Sequence, residues 1–475
     1  MLSNSYIDRL RFAAHWRLQK LSAILAPATA PSALAGAGAP PDPEDVFASM
    51  TVHLEAARMD ALSSAVLLQA RLSIIDTLAC VFAGMASDEG RSILAVCKMT
   101  KEAVLDSTKA PSSQDHAFLM AALAQIHDFN DGLENAEKRG GAFHPGRVLI
   151  PTALAVGLRQ AVTGRELLTA IALGYDLACF TNAKSLNTPG DAYGAAGCAA
   201  WLKKLDRTHT AFAIRTAALM SPVSGAKDFE TNNLTIAQQA ASGVLATELV
   251  QHGYPNSRAR KTYLRCARFA FTKPESPGDA FNLLYRKPYP CCRDIHRAID
   301  AALQLRASAA DLLLDIDGKT RVSRIDSIEI ELPETRKGPV FPLNPGEYYK
   351  CYQFSIPYVI AAALVDGAIT LEQFEDARTG DPTIHQLQAK IRLLQGEGTA
   401  SESKFARIAV HLSTGETLRS ECTEARGSPN KPLNENDLFE KLRKCADRAD
   451  INVEGLIRRL QTLETVDNVA DQLFL

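Results

Sequence analysis

Ile325-Asp-Ser-Ile-Glu-Ile-Glu-Leu332 is the stretch whose reading decides how this chain divides. Apolar and polar residues alternate along it, which is the period of a half-buried strand and not of a helix. Toward the N-terminus the pattern is different. From Pro43 to about Phe271 it is helical nearly throughout, with apolar faces of period 3.6 over Ala61–Met85, Glu166–Ala183 and Ile236–Gly253. Small residues dominate, as in Gly194-Ala-Ala-Gly-Cys-Ala-Ala200, and they allow helices to approach closely. The character changes at Pro274–Pro277. Toward the C-terminus, Ala406–Leu412 and Thr417–Cys422 form a second strand pair joined by Ser413-Thr-Gly-Glu416, a hairpin signal with Gly in the turn. Helices are expected among these strands at Ile295–Ala307 and Ser355–Asp366, and a helical pattern returns from Pro432 to Leu475.

The fold class that follows is mainly α. A large all-helical domain is formed by both ends of the chain, residues 44–275 and 426–475, and a smaller α+β domain, 276–425, is inserted between them. A cleft between two such domains is a common place for a small-molecule site. Residues 1–43 are set apart as an N-terminal extension. They carry Arg9, Arg11, Arg17 and Lys20 against the single acid Asp8, with Leu10, Ala14, Leu18, Leu21 and Leu25 on one helical face. This composition resembles a mitochondrial transit peptide. The plainer alternatives are a disordered extension or a misassigned start codon.

Bulk properties exclude several classes of function. The chain has 475 residues, enough for two domains. With 52 basic and 54 acidic residues it has no global field to attract nucleic acid or an acidic membrane. No apolar run is expected to reach the roughly 18 residues that span a bilayer, so a soluble protein without membrane partners is expected. The 10 cysteines are scattered without zinc-site spacing, and the adjacent Cys291-Cys292 is poorly placed to bridge. A reducing compartment, mitochondrial matrix or cytoplasm, and a site without metal are the expectation.

Chemistry concentrates in two places. His127-Asp-Phe-Asn-Asp131, followed by His144-Pro-Gly-Arg147, sets two imidazoles and two carboxylates between apolar runs, where burial shifts pKa values toward the range useful for proton transfer. His144-Pro145 stands just before an expected helix start, which favours anions. Asp131 and Glu134 also read as solvated loop acids. The second place is Arg286-Lys-Pro-Tyr-Pro-Cys-Cys-Arg-Asp-Ile-His296, a turn stiffened by two prolines and rich in cations suited to polycarboxylates. Taken alone it reads equally as a basic, solvent-facing corner, and its thiols read as structural. A third segment, Ser221–Asn233, reads as a loop with no assigned role.

At these residues the chain resembles the MmgE/PrpD family, which includes 2-methylcitrate dehydratase and cis-aconitate decarboxylase. The resemblance runs from about residue 46 to 475. It rests on Ile75-Asp-Thr-Leu-Ala-Cys-Val-Phe-Ala-Gly84, Asp128-Phe-Asn-Asp131 with His144-Pro145, Lys287–His296, Gln353–Gly367 and Asn430-Lys-Pro-Leu-Asn434. It implies a helical domain with an inserted lid, a homodimer and no cofactor. Carried over residue by residue, the family's active-site Asp falls on Asp128, its loop His on His144 and its lid Lys on Lys287. There are departures. Gly132 stands where Thr is expected, Thr188 near an expected His, and Asn232 near an expected Lys, with Lys227 close by; the loop before His144 is longer.

The expected function is a cofactor-free carbon–oxygen lyase that dehydrates a 2-methylcitrate-type tricarboxylate. Asp128, His144 and Lys287 are the expected catalytic residues. Asn130, Asp131, Arg147, Lys227, Arg293 and His296 are the expected substrate-binding ones. The alternatives are decarboxylation of cis-aconitate to itaconate, and a non-catalytic member that binds a carboxylate.

Overall fold

Helix α2 (Ser64–Ala86), which follows α1 (Pro43–Met59), shows how the helical part is organised. Ser63 caps it by accepting a hydrogen bond from Val66 N, and every residue from Leu72 to Met85 is buried. By length and composition this helix is apolar enough to cross a membrane, which corrects the expectation that no segment would be. It is apolar all round because it is the central helix of the protein's own core. The computed structural model describes residues 43–59, 62–134, 144–183, 190–221, 229–254, 269–333, 343–396 and 405–473. Almost all of the expected N-terminal extension, and with it the transit-peptide reading, lies outside these residues, as does Lys227.

Against α2 pack α3 (Ser113–Gln125), α4 (Gly146–Gln160) and α5 (Gly164–Cys179), and beyond them lie α6 (Gly190–Leu202), α7 (Arg207–Met220) and α8 (Phe229–Gln251), which pack on one another. The small-residue reading holds where α5 meets α6: a β-carbon at Gly194 would collide with the carbonyl oxygen of Gly174. Three expectations fail locally. The helix expected over 166–183 ends at Cys179, because Thr181–Ala183 (β2) turns out to pair antiparallel with Phe269–Phe271 (β3). Strands therefore precede Pro274, as does the two-residue β1 (Gly132–Leu133). The segment read as a loop up to Asn233 is already helical from Phe229.

Beyond Pro274 the strands fall where alternation put them. β5 (Ile325–Leu332) is one of two inner strands of a four-stranded sheet, with β6 (Ile391–Gln395) parallel to it on one side and β7 (Ala406–Leu412) antiparallel on the other. Ile325, Ile328, Ile330 and Leu332 are buried, in one core with α9 (His296–Ser308) and α10 (Ile356–Asp366). β7 turns into β8 (Thr417–Cys422) through Gly415, whose φ of +88° is the left-handed backbone that glycine adopts without strain. Helix α11 (Glu435–Arg448) returns to α2 and joins the first core. The chain is thus mainly helical with a small α+β part; the helical part holds two apolar clusters, the large one around α2 and a smaller one around α1, and the α+β part holds a third.

Candidate active site

The two ends of the site are joined by a short ribbon. After α3 the chain turns at Ile126–Asp128, and β1 pairs antiparallel with β4 (Leu284–Tyr285), Gly132 lying opposite Tyr285. This pairing brings the Asp-Phe-Asn-Asp segment against the Pro-rich turn. Asp128 has φ +48°, an uncommon conformation for a residue with a side chain. Lys287 clamps it there, with Nζ 2.9 Å from Asp128 Oδ2 and donating to the Asp128 carbonyl at 2.7 Å. The ammonium is 1% exposed, so the pair operates out of bulk water. The solvent-facing reading of this turn fails for Lys287, and for Arg286, whose guanidinium is tied to Gln69 and Ser73 on α2.

His144 precedes the first turn of α4. Its Nδ1 lies 2.5 Å from the carbonyl oxygen of Asp131, which can only accept, so Nδ1 carries the proton and Nε2 keeps its lone pair. Burial, followed by the charges of Lys287 and Arg147, holds the imidazole well below its ordinary pKa and hence neutral. Asp131 is not a solvated acid. It is fully buried, accepting from Gly146 N at 3.0 Å and from the Tyr175 hydroxyl at 2.6 Å, and so it fixes the N-terminus of α4. Burial, with repulsion from Asp76, pushes its carboxyl up to about 6. Asn130 donates to Ala124 O at 2.7 Å while its buried Oδ1 has no partner. Arg147 is bound to Gln125 Oε1 at 2.5 Å and keeps a buried, unpartnered Nε.

On the opposite side, Arg293 stacks 4.6 Å over the Tyr285 ring and reaches Glu134 at 3.5 Å, where Arg297 also arrives at 3.4 Å. Arg293 Nε and Nη1 are buried without hydrogen-bond partners. Two donors of a planar fork left unsatisfied suit a carboxylate. His296 is completely buried, packs edge-on against Tyr289 at 5.1 Å and faces the Cys291 carbonyl at 3.4 Å. Burial pushes the Cys291 thiol up strongly and Cys292 to about 12, which makes both poor nucleophiles. His127 is held near 4 by burial and hydrogen-bonds to Ala83 O at 3.2 Å.

Several participants escaped the sequence reading. Lys441 on α11 bonds Asp76 Oδ1 at 2.8 Å and the carbonyls of Phe129 at 2.7 Å and Lys287 at 3.1 Å, gripping the neighbours of both Asp128 and Lys287. A Lys within the buried face of Leu438, Leu442 and Cys445 was the signal available for it. Gln353 bridges the carbonyls of His127 and Pro290 at 3.0 and 2.9 Å. Asp191, in the first turn of α6, is buried with an unpartnered Oδ1. Burial raises it to about 7 against the pull of Arg147.

The assembly pairs a neutral imidazole and near-neutral acids with a ring of buried cations. Such a combination removes or delivers a proton beside a carboxylate. Among the described residues no three His, Cys, Asp or Glu are grouped to hold a metal. Two family models match, the MmgE/PrpD N-terminal domain over residues 48–260 and the MmgE/PrpD C-terminal domain over 289–458. The chain is similar to cis-aconitate decarboxylase of Mus musculus, 26% identical over 383 residues that cover 74% of this chain and 76% of the relative. The human cis-aconitate decarboxylase is similar to the same degree, 26% over 387 residues, covering 74% and 77%. The 2-methylcitrate dehydratase of Salmonella typhimurium is 23% identical over 322 residues, covering 65% of this chain and 56% of that protein. This chain belongs to the MmgE/PrpD family, whose matched relatives are lyases.

Proposed function

We propose that this chain is a cofactor-free carbon–oxygen lyase that dehydrates a 2-methylcitrate-type tricarboxylate. The observation that carries the reading is the state of His144: neutral, with Nδ1–H committed to Asp131 O and Nε2 available. A dehydratase begins with a base. Nε2 takes the proton beside a carboxylate, the C–H electron pair forms the double bond, and the C–O bond breaks. The leaving oxygen takes a proton from the Lys287 ammonium, steadied by Asp128, and departs as water; the proton held by His144 later restores Lys287. Arg293, Arg147 and Asn130, each with an unpartnered buried atom, bind the carboxylates and hydroxyl. Asp131, whose carboxylate oxygens accept from Gly146 N and the Tyr175 hydroxyl, positions the site from behind, and His296, whose Nε2 faces the Cys291 carbonyl while its buried Nδ1 has no partner, offers a further atom to the substrate.

Decarboxylation of cis-aconitate is the second reading, favoured by the longer match to the decarboxylases. There the C–C bond to the departing CO2 breaks and His144 must arrive protonated to quench the carbanion. Incubation of the purified protein with 2-methylcitrate, citrate and cis-aconitate, following absorbance of the unsaturated product and CO2 release, separates the two. A dehydratase keeps its rate as pH falls toward 5, because the depressed imidazole stays neutral; a decarboxylase gains rate there. Turnover untouched by His144→Ala and Lys287→Ala would sink the assignment. The proposal includes the division into a helical domain, 44–275 with 426–475, and an inserted lid, 276–425, supported by the apolar cluster of the α+β part being separate from those of the helical part. It also includes a homodimer acting in the mitochondrial matrix or cytoplasm. Gel filtration and a fluorescent fusion test these last two.

A further inference from the structure

Gly132 lies beside His144, and what fills the space that a side chain there would take is Tyr285. The two residues are opposed across the β1–β4 ribbon. Directly opposed residues on antiparallel strands share a face, with β-carbons about 4.5–5.5 Å apart. A β-carbon at Gly132 would overlap the Tyr285 hydroxyl and Cζ and would stand 2.9 Å from His144 Nδ1. The phenol therefore lies over the bare backbone of Gly132 and closes on the same point as the imidazole. Its ring meets the His144 ring edge-on at 6.2 Å and carries the Arg293 guanidinium on its face. Tyr285 is thus boxed by the base, by an anion-binding arginine and by a glycine too small to push it away.

We propose that Tyr285 is a catalytic residue of this site, its neutral phenol donating a hydrogen bond to the substrate's leaving hydroxyl oxygen, and that Gly132 is the specificity-determining position that admits it. The inference rests on the lyase reading above and extends it to the recognition of a hydroxylated tricarboxylate. A buried phenol is suited to this donation. It is 5% exposed, and burial keeps it protonated far beyond neutral pH, so it donates without adding a charge to a site already holding Lys287, Arg147 and Arg293. Among the described residues its hydroxyl has no hydrogen-bond partner of its own. A donor aimed at an oxygen that gains charge as its bond to carbon breaks lowers the barrier more than it tightens binding. The plain alternative is packing: an aromatic ring laid over a strand glycine stabilises the ribbon without touching substrate.

Tyr285→Phe separates the two, because it keeps the ring, the cover over Gly132 and the stack under Arg293 while removing only the oxygen. Affinity is measured by calorimetry for citrate and for tricarballylate, which has the same three carboxylates and no hydroxyl, alongside turnover of 2-methylcitrate. Citrate is expected to bind about 3- to 10-fold more weakly to the variant, with tricarballylate unchanged within about twofold. kcat is expected to fall roughly 100-fold with little change in KM. A variant that binds and turns over like the wild type overturns the proposal, as does one that loses both ligands equally. Gly132→Ala, checked for an unchanged far-UV spectrum, is expected to displace the ring and abolish the preference for citrate over tricarballylate; retention of that preference counts against the role of Gly132. If the wild type binds and dehydrates none of the tricarboxylates, the lyase reading falls first and this inference with it.

Discussion

The two walls of the site are built on opposite principles. On the helical wall, Asp131 and His144 are wired to backbone groups or tyrosine, and burial holds the imidazole neutral and raises the carboxyl to about 6. On the wall made by the Pro-rich turn and α9, Lys287 is paired with Asp128 and Arg293 keeps donors free. One wall carries groups whose proton affinity burial has shifted, and the other carries basic side chains with donors to spare. On the helical wall desolvation acts in opposite directions, lowering the imidazole and raising the carboxyl, because it disfavours whichever form is charged.

The contrast breaks most completely at His144. His144→Ala is expected to lower kcat by roughly 10²–10⁴-fold, read in steady-state assays, with the melting temperature little altered. A loss confined to KM would contradict its role as base. Next comes the cation that ties the walls together. Lys441→Met leaves Asp76 buried without its partner and is expected to cost about 3–5 kcal/mol in chemical denaturation. Pairing it with Asp76→Asn should recover part of that loss, and an additive double variant would show that the two do not act as a pair.

A smaller effect is expected on the charged wall. Arg293→Met should raise KM for a tricarboxylate about 10- to 100-fold, the value of a charge-assisted hydrogen bond, while kcat holds. A kcat loss with KM unmoved would place Arg293 in proton transfer instead. The smallest effect is in pH dependence. A buried carboxyl raised to about 7 at Asp191 stays protonated in the folded state after the unfolded chain has ionised. Its contribution to stability is therefore present at low pH and lost as pH rises from about 4 to 7. Asp191→Asn should flatten that slope in denaturation curves and raise stability at pH 8 by about 1 kcal/mol or more. An unchanged slope would mean that Asp191 is already ionised at pH 5, paired with Arg147.

The legible parts of the chain were those set by local pattern. Strand alternation located Ile325–Leu332, Ala406–Leu412 and Thr417–Cys422 at their observed bounds, since each needs only one buried face. The hairpin turn was marked by a glycine whose φ demands one. Asp128, His144 and Lys287 were read from motifs, and the structure joins the first and last directly while Lys287's charge bears on His144. Pairings between distant segments left no such mark. Nothing local in Gly132 or Tyr285 announces a two-residue ribbon, and β2 looked helical because its partner lies some 90 residues on. Asp76, Asp191 and Lys441 are single polar residues on apolar faces. A periodicity search averages them away, although a lone charge in a buried stripe requires a buried partner.

Lys441 also carries a consequence for the order in which the molecule is made. The groups that hold Asp128 and Lys287 in register are the carbonyls of Phe129 and Lys287, and the ammonium that binds them belongs to one of the last helices of the chain. A ribosome that has finished the helical first half and the whole inserted part has still not made the residue that locks the two walls. A chain that stops before residue 441 has Asp128, His144 and Lys287 but lacks the ammonium that binds the carbonyls of Phe129 and Lys287.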